Sequence, residues 1–210
     1  HLFYSLFFFS FQVALNVSLY YEAMCPDSMR FIATQLFPHY RDIANYIDLE
    51  LVPYGKAIHN QKDGRWEFSC QHGPAECKGN MYQSCALSLN SGAEKDVDFV
   101  NCIMRKRNPS HLGNVEFCAR RFQLDAEKLK SCANSEEGDR LLAANGDKTW
   151  ELDPNISFVP TIVYDGVFDQ TSQDQSLRDF VAVVCSKIVE AKPTVCDGRR
   201  LPKANHWGYY

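Results

Sequence analysis

The chain has 210 residues, of which 45% are hydrophobic, enough apolar material for one domain with a substantial core. Its 22 basic and 26 acidic residues leave a net charge of −4 with no basic stripe, which argues against a nucleic-acid partner. No repeat or low-complexity tract is present, so disorder along most of the length is excluded as well. Nine cysteines is a heavy load for this length. Cytosolic thiols are kept reduced, so such density points to the secretory route or to a metal site.

In chain order, Leu2 to Phe11 is almost entirely Leu, Phe, Tyr and Ser, an apolar run of signal-peptide length and too short to span a bilayer. It predicts a signal-peptide remnant over residues 1–14, with cleavage after Ala14; a buried N-terminal segment is the alternative. No later segment is long and apolar enough to be transmembrane. Two sequons, Asn16-Val17-Ser18 and Asn155-Ile156-Ser157, add Asn16 and Asn155 as candidate glycosylation sites and support secretion.

Val17 to Tyr21 reads as a half-buried strand. Cys25-Pro26-Asp27-Ser28 follows, and then Met29, Ile32, Ala33, Leu36 and Phe37 at the spacing of one helix face. Pro26 suits a first helical turn, where its missing N–H costs nothing, and Pro38 kinks or ends the helix. Ile47 to Val52 predicts a second strand, closed by Pro53-Tyr54-Gly55. The opening is therefore a βαβ unit with a cysteine at the helix start.

The middle of the chain reads as mostly helical, with stripes at Tyr82, Cys85, Ala86 and Leu89 and at Val97, Val100, Ile103 and Met104. Ser135 is a candidate N-cap, with Asn145-Gly146 as the matching stop. Toward the end, Thr161 to Tyr164, Asp165-Gly166 and Val167-Phe168 have the turn chemistry of a β-hairpin. Leu177, Phe180, Val181, Val184, Cys185, Ile188 and Val189 then trace a long helical stripe. A βαβ–helices–ββα order predicts an α/β, thioredoxin-like fold over residues 15–210, with a large helical insertion at about 56–158, stabilised by several disulfides.

Cys25 is the first candidate for chemistry. A cysteine at a helix N-terminus faces unpaired N–H groups that stabilise a thiolate, while the Asp27 carboxylate opposes this. Position alone leaves a structural half-cystine as an equal reading. Removing Cys25 leaves Cys70, Cys77, Cys85, Cys102, Cys118, Cys132, Cys185 and Cys196, enough for four bridges whose connectivity spacing does not specify. Only a local closure such as Cys185 with Cys196 can be inferred. An odd total leaves at least one thiol free, mixed-bonded or intermolecular, and Cys25 is the best candidate.

A second cluster runs from Cys70-Gln71-His72-Gly73 through Glu76-Cys77 and Asn80 to Cys85. Zinc is the obvious hypothesis, but six and seven intervening residues are not the tight cysteine pairs of tetrahedral sites. Disulfide ends in a loop, with His72 and Glu76 in local hydrogen bonds, is the favoured reading, and no metal or cofactor is expected.

This cluster resembles the signature of the gamma-interferon-inducible lysosomal thiol reductase (GILT) family at every fixed position: Cys70, Gln71, His72, Gly73, Glu76, Cys77, Asn80 and Cys85. Arg65-Trp66-Glu67-Phe68, Leu51-Val52-Pro53-Tyr54-Gly55 and Asn16 to Ala23 are similar to the family too, so the resemblance covers about residues 15–197. It implies a thioredoxin-like fold and reduction of protein disulfides in lysosomal or secreted settings. It also implies that Pro160 is a cis-proline beside the active cysteine, with the Val159 backbone contacting substrate. The family's working motif is Cys-x-x-Cys; here its nucleophile maps onto Cys25 and its resolving cysteine onto Ser28.

That serine is nearly isosteric and can hydrogen-bond the Cys25 sulfur, yet its hydroxyl cannot form a disulfide. The expectation is a secreted protein with weak or absent dithiol-reductase turnover that acts by binding a protein or cell-surface partner. A monothiol exchange enzyme or isomerase, using Cys25 with glutathione, is the second reading, and a purely structural protein the third. Extracellular release is favoured, with the lysosome second. Oligomeric state stays open, since a spare thiol can link two chains.

Overall fold

The computed structural model describes residues 14–189 and 191–203, so the signal-like segment, apart from Ala14, lies outside the described residues. Strand β1 (Leu15–Tyr21) is the middle of a three-stranded sheet of order β2-β1-β5. On one edge β2 (Ile47–Pro53) runs parallel to it, from Leu15 opposite Ile47 to Tyr21 opposite Pro53. On the other edge β5 (Thr161–Tyr164) runs antiparallel, from Val17 opposite Tyr164 to Tyr20 opposite Thr161. The two-residue period of β1 sends Leu15, Val17, Leu19 and Tyr21 into the main core, while Tyr20 joins Val52 and Val163 on the other face.

Helix α1 (Pro26–Phe31) continues into a π-helical turn, Ile32–Leu36, before the short α2 (Tyr40–Ile43). In that turn the Phe37 N–H reaches the Ile32 carbonyl at 2.9 Å. The extra residue per turn moves the buried face to Phe31, Ile32 and Leu36, leaving Met29, Ala33 and Phe37 of the predicted stripe only partly covered. Phe31 meets Phe180 edge-on, with ring centroids 5.5 Å apart, and so ties α1 to the last helix.

Between β2 and β5 lies the insertion. It opens with an antiparallel hairpin, β3 (Ile58–Lys62) and β4 (Arg65–Ser69), where a helical reading had no strand. Its signal was Asp63-Gly64, which takes positive φ values of 50° and 76° at the turn. Five helices follow: α3 (Pro74–Ser88), α4 (Ala93–Met104), α5 (Leu112–Arg121), α6 (Ala126–Ala133) and α7 (Glu136–Trp150). Disulfide Cys85–Cys132 joins α3 to α6 and Cys102–Cys118 joins α4 to α5, while Cys70–Cys77 closes the entry to α3. Ser135 does precede α7, but its hydroxyl donates to the Cys132 carbonyl instead of capping.

The helix does not stop at Asn145-Gly146. It runs on to Trp150, whose ring stacks on His59 at 4.2 Å, because the hairpin needs an apolar backing. Gly146 serves that contact: an added Cβ would lie 2.5 Å from His59 Nδ1 and 2.6 Å from Tyr54 Cζ.

At the C-terminal end, only Thr161–Tyr164 of the expected hairpin is a strand. Asp165 and Gly166 make the turn, but the return is a single bridge from Tyr164 to Val167, because Val167 is 67% exposed with no sheet neighbour to pair with. Helix α8 (Gln170–Lys187) begins seven residues before Leu177, the first residue of the predicted stripe, its start capped by Asp169 Oδ2 on the Ser172 N–H at 2.7 Å. Ile188 is already extended and Val189 is 96% exposed, so the helix ends short of the predicted stripe. Disulfide Cys185–Cys196 fastens α8 to the tail. No helix among the described residues is long and apolar enough to cross a membrane.

Tyr54 and His59 are joined by a 2.7 Å hydrogen bond and have little room to retreat. Gly146→Ala should therefore lower stability by about 1–3 kcal/mol, read as a fall in the urea midpoint at constant slope.

Candidate active site around Cys25

The sheet brings two distant segments to the C-terminal end of β1. Cys25 is the N-cap residue of α1, with Pro26 in the first turn, and among the described residues it is the only cysteine outside a disulfide. It is 8% exposed, and its Sγ lies 3.8 Å from the Val159 carbonyl oxygen, 134 residues away. The Val159–Pro160 bond is cis. Gln173 on α8 secures this approach: its Nε2 donates to the Pro160 carbonyl at 2.9 Å, and its Oε1 accepts from the Ile162 N–H at 2.8 Å. Both groups are buried, so an unmatched partner would carry the full cost of desolvation.

Ser28 is fully buried one helical turn beyond Cys25. Its hydroxyl faces the Glu22 N–H at 3.4 Å, not the Cys25 sulfur, because the turn leaving β1 presents that unpaired amide directly to it. The sequence allowed this hydroxyl a hydrogen bond to the Cys25 sulfur; the structure sets it against the Glu22 amide.

Beside the cysteine lie two buried acids, Glu22 and Glu76, with the more exposed His72 between them; of the three, the sequence reading singled out only His72 and Glu76. Glu76 is fully buried at the start of α3; its Oε1 accepts from the His72 N–H at 3.0 Å and its Oε2 lies 2.6 Å from His72 Nδ1. The Oε2 also accepts from the Met24 N–H at 3.3 Å. Glu22, likewise buried, accepts from the Lys56 N–H through Oε1 at 2.8 Å, and its Oε2 is 3.5 Å from His72 Nδ1. Gly55, with φ 66°, makes room for that side chain, since a Cβ there would fall 2.2 Å from Glu22 Cγ. Burial pushes the Glu22 carboxyl above the ordinary carboxylate value, and the Glu76 charge adds to this against the opposing Lys56 N–H and His72.

Glu22, His72 and Glu76 bring one donor atom each within 4.8 Å of one another. A divalent cation there would have to displace the proton between His72 and Glu76 and compete with the Met24 N–H for Oε2. The geometry is that of a hydrogen-bonded network. Cys70 and Cys77 are bonded to each other and Cys85 to Cys132, so the cysteines of this cluster offer no thiolate ligand.

An open cleft of about 370 Å³ flanks Val159 and Pro160, with Phe31, Phe158 and Leu177 along it and Asp27 and Arg30 at its rim. A larger cavity, of about 750 Å³, lies elsewhere, among Asn16, Asp48, Glu50, Asp96 and Asp165, and contains none of the cysteine chemistry. Asn16 and Asn155 are both exposed.

The sheet order, the cysteine at the helix start and the helical insertion define a thioredoxin-like fold of the DsbA type. Solved structures of similar shape include BdbD from Bacillus subtilis (oxidised), with a TM-score of 0.59 at 13% identity over 83% of this chain and 87% of that one. Chlamydia trachomatis DsbA gives 0.56 at 15% identity, over 80% and 82%. The family model for gamma interferon inducible lysosomal thiol reductase (GILT) matches residues 16–122, and the chain belongs to that family. It is 32% identical to GILT-like protein 1 of Drosophila melanogaster, across 86% of this chain and 78% of that protein. It is also 32% identical to the gamma-interferon-inducible lysosomal thiol reductase of Carassius auratus, across 90% and 74%.

The raised Glu22 carboxyl has a pH signature. The folded state holds this proton more tightly than the unfolded chain does, so its contribution is complete below about 4.5 and is lost as pH rises through the folded value. Glu22→Gln should flatten that part of the profile: relative to the parent, the variant gains thermal stability as pH climbs from 4.5 toward neutrality. Parallel melting curves of the two proteins across this range would contradict the assignment.

Proposed function

We propose that this chain is a GILT-family protein that captures protein partners through Cys25 and has lost dithiol turnover. The observation that carries this reading is the pairing of one free thiol with a buried serine at the resolving position. In a dithiol reductase the first thiolate attacks a substrate disulfide, forming an enzyme–substrate mixed disulfide and expelling one substrate thiolate. The second thiol then attacks the Cys25 sulfur of that mixed disulfide, releasing the other substrate thiol and leaving an enzyme disulfide. Such intramolecular steps gain effective molarities of up to about 10⁵ M or more. Ser28 has no sulfur to offer, so the mixed disulfide persists until an external thiol cleaves it.

The cleft beside Val159 and Pro160 supports a protein partner, since an apolar channel with a charged rim suits an extended cysteine-bearing segment. A second reading, monothiol exchange with glutathione, draws on the same free thiol: glutathione thiolate would attack the Cys25 mixed disulfide, regenerate Cys25 and leave on the substrate sulfur. Four disulfides favour an oxidising compartment, and we place the protein outside the cell first and in the lysosome second. The exposed Asn16 and Asn155 are the acceptors through which glycosylation would accompany export.

Insulin reduction and adduct trapping separate these readings. The parent should form a dithiothreitol-sensitive adduct with a disulfide-bonded protein on a non-reducing gel, and Cys25→Ala should form none. Ser28→Cys should raise insulin turnover at least about a hundredfold over the parent. Strong parental turnover that requires glutathione would favour the monothiol enzyme, whereas an inert Ser28→Cys variant would remove Cys25 from the active role altogether.

A further inference from the structure

The family signature segment has no chemistry of its own in the reading above, yet three of its residues converge on the turn that delivers Cys25. Helix α3 carries Glu76 and Asn80 four residues apart, which puts them on one face. Asn80 Oδ1 accepts from the Ala23 N–H at 2.8 Å, and Glu76 Oε2 accepts from the Met24 N–H at 3.3 Å. Two successive amides between β1 and Cys25 are thus held by one helix. Asn80 is itself oriented by donating Nδ2 to the Tyr54 carbonyl at 3.4 Å, and Glu76 by the two contacts from His72. The Cys70–Cys77 disulfide spans the loop that supplies His72. Glu22, Ala23, Glu76 and Asn80 are all fully buried, so water cannot substitute for a lost partner.

We infer that the Cys70–Asn80 signature is a positioning device for Cys25, with Glu76 and Asn80 as positioning residues that fix the Ala23–Met24 backbone so that the thiol meets an incoming disulfide beside Val159. The inference rests on the reading of Cys25 as the reactive thiol. Attack on a disulfide is geometrically demanding, because the incoming sulfur must approach in line with the bond it breaks. Alkylation by iodoacetamide is an in-line displacement too, but a small, flexible reagent can turn to meet the thiol where a bulky disulfide held beside Val159 cannot. Loosening the turn therefore reduces the first reaction more than the second. Glu76→Gln places an amide donor against one of three donors now facing the carboxylate, and Asn80→Ala removes the acceptor for Ala23. Asn80→Asp keeps that acceptor.

Two second-order rate constants test this on the folded chain: Cys25 with glutathione disulfide, giving the Cys25–glutathione mixed disulfide and one glutathione thiolate, and Cys25 with iodoacetamide. The ratio of the first to the second should fall about tenfold in Glu76→Gln and in Asn80→Ala, and recover most of that in Asn80→Asp. Leu129→Ala, which opens a cavity at a fully buried position on α6, controls for general destabilisation and should keep the parental ratio. If Glu76→Gln fails to fold, the Asn80→Ala and Asn80→Asp pair carries the test alone. An unchanged ratio in the Asn80→Ala variant, or an equal fall in Leu129→Ala, overturns the positioning role while leaving Cys25 reactive. A parent that reacts with neither reagent overturns the reading of Cys25 and this inference with it.

Discussion

Strand β1 is hydrogen-bonded along both edges, and the site follows from that constraint. Its parallel partner demands a crossover, which α1 supplies, so the chain must turn sharply after Tyr21 and enter a helix at Cys25. Its antiparallel partner brings Val159 and Pro160 up to the same end of the sheet. A cysteine and a carbonyl separated by 134 residues come within 3.8 Å because both sit at strand ends whose register is set by buried side chains.

The disulfides divide the labour differently from the sheet. Three of the four lie in or at the entry of the insertion, where helices of eight to fifteen residues pack around one short hairpin. Bridging helices restricts the unfolded chain and ties the helices of the insertion to one another. Consuming eight cysteines in this way leaves Cys25 with no bonded partner among the described residues, and the serine at position 28 leaves it with no local one to form. Ser28 is itself used structurally, as an acceptor for the Glu22 amide.

Around the thiol the polar groups are organised by burial. Two glutamates share one histidine in a space closed by Gly55 and α3, and each carboxylate also accepts from a backbone N–H. Glu22 Oε2 has no hydrogen-bond partner among the described residues and faces His72 Nδ1 at 3.5 Å, whereas the Glu76 oxygens and Glu22 Oε1 are paired, and losing any of those bonds would be costly, which favours one arrangement of the turn. The turn that delivers Cys25 is thus held by ordinary hydrogen bonds from α3.

Much of this was legible beforehand. Periodicity located β1, β2, α3, α4 and α8, the eight signature positions pointed to the family, and counting cysteines singled out Cys25, because these features depend on local spacing and chemical type. The Asp63-Gly64 turn was legible in principle but masked by the helical pattern on its C-terminal side. Other features were beyond local pattern. The π turn after Phe31 answers to packing against Phe180, and α7 passes through Asn145-Gly146 because a hairpin dozens of residues earlier needs Trp150 and a close approach at Gly146. Glu22 carried no signal, since a glutamate after a strand is usually solvated; only the fold buries it beside Glu76 and His72. Sequence by itself determined the family, the strands β1 and β2, several of the helices and the serine that stands at position 28, all of which are properties of residues and their neighbours along the chain. Apart from the local Cys185–Cys196 closure, tertiary structure decided which cysteines bond, where the Ser28 hydroxyl points and which groups hold the turn before Cys25, because those depend on distances between segments that no local pattern encodes.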